Sequence, residues 1–214
     1  MGFRRHVAGL CLLIVASPAL ARAQAFEAPR LTIGASAGVS DPLHGDWQFV
    51  APSWDLGVRG QVAPHFIVEA FASQWRHTTK SVRTGLPVTG VNGPLGRIGQ
   101  MMTDDQTLVD VAGVSFLPAL TTGRLTVAGG GGPALMVLRH NYAQRFANCE
   151  PASLCRDYEN QHTATTFAVA LAGSVDVRLA SWLTAFGQFR TAVPTEDPGS
   201  GHVAATAGVR VVIR

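Results

Sequence analysis

After its first 25 residues the chain contains no run of 18 apolar residues, so no part of it can cross a bilayer as a helix. Instead, apolar residues alternate with small or polar ones at period two in eight segments, 31–39, 53–63, 66–76, 107–117, 124–142, 165–179, 183–193 and 203–214. Helical periodicity is weak throughout. At about 9 to 19 residues, these segments exceed the usual 5 or 6 of soluble strands and suit tilted strands crossing about 25 to 30 Å of hydrocarbon. The connections alternate as well. Those at 40–52, 77–106, 143–164 and 194–202 are long, whereas those at 64–65, 118–123 and 180–182 are short. Long loops at one end and tight turns at the other are the layout of an eight-stranded antiparallel up-and-down transmembrane β-barrel, with both termini on the side of the turns.

The two faces of the segments agree with this reading. In 165–179, Phe167, Val169, Leu171, Val175, Val177 and Leu179 share one face, and Ala168, Ala170, Ala172, Ser174, Asp176 and Arg178 the other. Bulky residues on one side and small or polar ones on the other fit an apolar exterior around a crowded lumen. Trp54, Trp75 and Tyr142 are expected as an outer aromatic girdle, with Phe66, Phe116 and Trp182 near the opposite ends. Pro133, after the run Gly129–Gly132, predicts a bulge or kink in the fifth strand. The faces of the third and fourth segments are mixed, because Glu69 shares a parity with Ile67 and Phe71, and Asp110 shares one with Val114 and Phe116.

Residues 1–25 read as a secretory signal peptide: Arg4 and Arg5, an apolar run to Leu20, then small residues around Ala23 and Ala25. About 14 apolar residues interrupted by Pro18 are too few for an anchor, which needs roughly 20. With Arg4, Arg5 and Arg22 in the leader, the remaining 14 Lys and Arg meet 14 Asp and Glu. That balance argues against nucleic-acid binding. Cys149 and Cys155, in an exported chain and with five residues between them, are expected to form one disulfide; none of those five is a histidine, and Cys-x5-Cys is not a zinc spacing. Neither a cofactor nor a metal is expected.

The last segment carries Gly208, Val211 and Ile213, and resembles the C-terminal assembly signal of bacterial outer-membrane proteins, with Ile213 in place of the usual aromatic residue and Arg214 after it. Together with the Gly-rich strand from Leu125 and the strand Gly173-Ser-Val-Asp-Val-Arg-Leu179, this resembles the small OmpA/OmpX-like barrels over nearly the whole of 26–214. The resemblance implies an outer-membrane β-barrel domain in a Gram-negative bacterium. It also implies contact with outer-membrane lipid and lipopolysaccharide, and recognition by the barrel-assembly machinery. The C-terminal peptidoglycan-binding domain of some relatives is not expected.

Strand parity sends Asp55, Arg59, Glu69, Asp110, Asp176, Arg178, Arg190 and Arg210 into the lumen, where four acids and four bases can neutralise one another. The competing reading is a gated ion path. Neither a Gly-x-Ser-x-Gly elbow, a His-Glu-x-x-His helix nor a Walker loop is present. Gly93-Pro-Leu-Gly96-Arg-Ile-Gly99 lacks the strand-to-helix setting of a nucleotide-binding turn and reads as loop. His77-Thr78-Thr79 is the nearest approach to the His and Ser of a barrel lipid A deacylase, without a serine or an acid. Gly45-Asp46-Trp47 matches the lipocalin Gly-x-Trp, but in a loop. The expected role is non-enzymatic, with envelope structure, adhesion or surface interaction carried by the loops 77–106 and 143–164.

Overall fold

The computed structural model describes residues 31–43, 51–90, 93–197, 199 and 201–213. The expected leader 1–25, the tripeptide Gly45-Asp46-Trp47 and Arg214 lie outside the described residues. Eight antiparallel strands follow one another around a closed barrel: β1 (Leu31–Pro42), β2 (Ala51–Ala63), β3 (Phe66–Gly90), β4 (Gly93–Thr122), β5 (Leu125–Glu150), β6 (Tyr158–Arg178), β7 (Leu183–Pro194) and β8 (His202–Ile213). Each strand pairs with its sequence neighbours, and β1 closes the ring on β8 from Leu31↔Ile213 to Pro42↔His202. Within the ring no strand is left with an unpaired edge, the condition for a sheet in hydrocarbon.

The polarity is inverted relative to a soluble barrel. Leu31, Ile33, Leu56, Val58, Leu135, Val169, Leu171, Val209 and Val211 are exposed, while Asp55, Arg59, Glu69, Asp176, Arg190 and Arg210 are buried inside. On β6 the apolar exterior runs from Phe167 to Val177. At about 3.3 Å per residue and a tilt of about 40°, that is roughly 25 Å, the height of the belt that meets lipid in a membrane barrel.

The short connections are 64–65, 123–124 and 179–182. The β4–β5 turn is smaller than the expected 118–123, because Pro118 and the following residues remain in β4 and Thr122 pairs with Leu125. Gly123 takes φ +60°, the left-handed conformation that a two-residue hairpin demands.

The largest departure from the sequence reading is at the other end. Residues 77–106 are not a loop: β3 and β4 continue as a paired hairpin to Gly90↔Gly93. Most of 143–164 is likewise strand, with β5 reaching Glu150 and β6 starting at Tyr158. Beyond the apolar belt both faces of these strands meet water, so their side chains need not alternate and the period-two signal vanishes while the backbone ladder persists.

Pro133 produces no bulge. Gly113↔Ala134, Phe116↔Gly131 and Ala119↔Ala128 keep one register across it, and the rungs between these pairs are missing. Gly130 and Gly132 make this possible, since a Cβ on either would collide with the β4 carbonyl oxygens of Phe116 and Val114. The aromatic girdle is also corrected. Trp54 is 41% exposed on the exterior, but Trp75 is buried and Tyr142 lies on the lumen-side parity of β5, packing at 6.2 Å against Tyr158. At the lower end, Phe66 stacks on Phe116 at 6.5 Å and Trp182 is exposed. A Gly132→Val variant is expected to wedge β4 from β5 at a cost of about 2 kcal/mol or more. The fraction retaining heat-modifiable mobility in a gel should fall, whereas the same change at Gly173, where a Cβ meets nothing within 4 Å, should leave it intact.

Candidate functional site

The lumen is divided. On the β2, β3, β6, β7 and β8 walls it is polar; on β3–β6 a cluster of Phe71, Trp75, Val109, Val111, Ala134 and Met136 fills it, and Leu117, Ala119, Ala128 and Ala172 form a second cluster. The division follows from β4, whose inward positions Val109, Val111 and Leu117 are as apolar as its outward ones.

Six of the eight charges placed in the lumen by parity are brought together there. Glu69, only 1% exposed, accepts from Arg59 Nε at 2.8 Å through Oε1 and from Arg190 Nη2 at 2.9 Å through Oε2, with Arg210 Nη2 at 3.9 Å. Asp176 takes Arg59 Nη1 at 3.0 Å and Arg210 Nη1 at 2.6 Å. Asp55 takes Arg190 Nε at 3.0 Å and the Ser73 hydroxyl at 2.7 Å. Three guanidiniums and three carboxylates thus neutralise one another, as buried charges require.

Residues that the parity argument did not name complete the network. The Gln188 side-chain oxygen accepts from Arg210 at 3.1 Å and Arg59 at 3.4 Å, and Ser174 accepts from Arg59 at 3.0 Å. Gln188 shares its strand parity with Arg190, a signal that was available. Nothing local foretells that Arg190 lies 3.5 Å above the Phe71 ring and Arg210 3.3 Å above Phe186. Such stacking offsets part of the desolvation of a guanidinium whose donors are not all used; Arg190 Nη1 has no hydrogen-bond partner among the described residues. Space for the network comes from Gly57, where a Cβ would lie 2.9 Å from Glu69 Oε1, and from Gly34, where it would lie 2.6 Å from Arg210 Cγ.

Two sequence assignments do not hold. Asp110 faces outward from β4, where Arg139 Nη2 binds it at 2.6 Å and Gln74 at 2.7 Å. Its parity partners Val114 and Phe116 belong to the exterior, which decides the mixed face of the fourth segment. Arg178 has the lumen parity of Asp176 but lies at the end of β6 and is exposed. In the third segment Glu69, Ile67 and Phe71 all face inward.

Above the barrel, β3–β6 form a four-stranded sheet. His77, Thr107, His140 and His162 occupy one cross-strand row on its lumen-side face. The His77 Nε2 meets Thr79 Oγ1 at 2.9 Å, and Asp105 lies 2.8 Å from His140 instead. Among the described residues no three His, Cys, Asp or Glu converge as a metal site. Cys149 and Cys155 form a disulfide across the β5–β6 connection, beside the 3-10 turn Ala152–Leu154. Gly208, Val211 and Ile213 lie on β8, with Val211 and Ile213 directed outward.

No protein-family model matches the chain, and no curated protein matches it. Among solved structures it is similar to Ail, the attachment invasion locus protein of Yersinia pestis, at 9% identity over 86% of this chain and 96% of that one, with a TM-score of 0.45. Neisserial surface protein A gives 10% identity over 86% and 97%, with a TM-score of 0.44. A major outer membrane protein from Thermus thermophilus gives 11% identity over 87% and 100%, with a TM-score of 0.47. The likeness is one of fold.

Replacing Glu69 by Gln leaves Arg59 and Arg190 buried with one shared counter-charge fewer, and is expected to cost about 3 kcal/mol or more, read as a lower urea midpoint for unfolding from micelles. Outside the belt, Asp104 accepts hydrogen bonds from Lys80, at 3.2 Å, and from Gln106, which hold its carboxyl below the usual 3.8. A depressed carboxylate adds stability above its ordinary pKa and loses it as the pH falls through its lowered one. A proton titration by NMR should therefore place Asp104 below 3.8 in the wild type and return it towards that value in Lys80→Ala.

Proposed function

We propose that this chain is a non-enzymatic outer-membrane barrel that holds the β3–β6 sheet and its disulfide-closed tip outside the cell. The observation that carries the reading is the apolar exterior around a charged, self-neutralised lumen, an arrangement that water would not tolerate and hydrocarbon favours. The end bearing Leu31 and Ile213 has the tight turns and faces the periplasm; the end bearing the long hairpins faces outward. Contacts with an outside partner, serving adhesion or envelope structure, are made by residues 77–106 and 143–164. The packed Trp75–Met136 layer and the ion pairs beneath it favour a sealed scaffold over an ion path.

Membrane fractions of cells expressing the full chain provide the test. A folded barrel should migrate differently unheated and boiled, and protease added to intact cells should cut between 77 and 106 while the belt survives. Recovery in the soluble periplasm, or identical mobility, would overturn the reading. The conductance of the purified barrel in planar bilayers should stay near the baseline, and steady unit currents would favour the ion path instead.

A further inference from the structure

The outward positions of β3, β4, β5 and β6 fall into cross-strand rows that cross from apolar to polar within one step. Ala72, Ala112, Leu135 and Phe167 form the last wholly apolar row, and Phe167 is 69% exposed. The next holds Gln74, Asp110, Val137 and Thr165, with Trp54 beside it on β2. The row above holds Arg76, Leu108, Arg139 and Thr163. Successive rows are two residues apart, about 5 Å along a barrel whose strands tilt by about 40°. Each arginine therefore stands about 5 Å beyond the residue of the Trp54 row on its own strand, past the last wholly apolar row, where the roughly 5–8 Å layer of lipid headgroups begins.

The cations are also one-sided. Outward positions on β3 and β5 carry Arg76, Lys80, Arg139 and Arg145, against Asp104 and Asp110 on β4 and Glu159 on β6. Among the described residues, the outward positions of β1, β2, β7 and β8 carry no Lys or Arg. Lys80 is engaged by Asp104, and one Arg139 nitrogen is held by Asp110. Asp110 is braced in turn: Gln74 donates to it at 2.7 Å, and Trp54 Nε1 donates to Gln74 at 3.1 Å. This fixes Arg139 from below, and the rest of its side chain is exposed. Arg76 is exposed and has no ion pair among the described residues.

We infer that Arg76 and Arg139 form a clamp on the β3–β5 exterior for a phosphate of an outer-leaflet lipid. Strands about 4.8 Å apart set the two backbones about 10 Å apart across Leu108, a span that two arginine stems close around a single phosphate. Leu108 between them, and Leu135 and Phe167 below, supply the apolar floor for the acyl chains of the same lipid. Phosphate recognition by paired guanidiniums is bidentate and charge-assisted, so the phosphate rather than the acyl chain sets the preference. The inference rests on the membrane reading above and adds a residue-level lipid site to it.

The test is native mass spectrometry of the barrel purified from membranes of cells expressing the full chain. It is titrated with bisphosphorylated lipid A and with the same lipid stripped of phosphate. The wild type should favour the phosphorylated lipid by about tenfold, and Arg76→Gln/Arg139→Gln should lose that preference. Arg76→Lys/Arg139→Lys should retain part of it. Arg124→Gln/Arg178→Gln, which removes equal charge at the opposite rim, should keep all of it. Equal binding of both lipids by the wild type overturns the clamp, as does an equal loss in the opposite-rim variant. Should the Gln pair fail to show heat-modifiable folding, the wild-type comparison and the Lys pair decide alone. A chain that never enters the membrane fraction defeats the membrane reading itself, whereas an inserted barrel without phosphate preference defeats only the clamp.

Discussion

Pairing of backbone groups is the constraint from which the rest of the structure follows. A strand in hydrocarbon finds no water to satisfy its N–H and C=O groups, so the sheet closes on itself, and here the β1–β8 ladder completes that closure over the full length of both strands. Closure explains why Pro133 is accommodated by keeping the register and omitting rungs: a shifted register in β4 or β5 would turn apolar residues into the lumen and bring the Gly130–Gly132 contacts out of line. It also explains the glycines themselves, because two backbones in a tightly curved ring approach more closely than side chains permit.

An eight-stranded ring encloses only enough space for side chains, so whatever points inward must pack and must be neutral as a set. The lumen meets both demands with different parts of its wall. Apolar β4 residues pack against Phe71, Trp75 and Met136, and the opposite wall supplies Arg59, Arg190 and Arg210 with Glu69, Asp55 and Asp176. Glu69 lies between two of these arginines, and Phe71 and Phe186 take the flat faces of two guanidiniums where no further oxygen is available. The intact ion pairs add little net stability, since each charge has first been taken out of water, whereas losing one partner leaves the other buried and unpaired.

Above the belt these constraints relax. Strands β3–β6 go on pairing with each other in water, while β1, β2, β7 and β8 stop near the rim. The scaffold thus ends in a sheet with a histidine row on its lumen side and a set of cations low on its outer side. The position of those cations, just past the Trp54 row, is a consequence of where hydrocarbon ends and not of any local motif.

How much of this could be read from the sequence follows the same boundary. Period-two alternation was visible wherever one face met lipid, which gave eight strands, the closed antiparallel barrel and the exterior of β6. It failed for 77–106 and 143–164, where both faces are wet and strand pairing leaves no trace in hydropathy. Parity alone reached Asp55, Arg59, Glu69, Asp176, Arg190 and Arg210. It misplaced Asp110, whose mixed strand face could be resolved only by seeing Phe116 on the exterior, and it carried Arg178 past the end of the lumen. Alternation therefore determined strand number and sidedness, because a pleated backbone sends successive residues to opposite faces. Which charges meet, which aromatic rings lie beneath them and where the sheet leaves the belt were decided by the tertiary structure, since those depend on register between strands remote in the chain and on the depth at which each residue comes to rest.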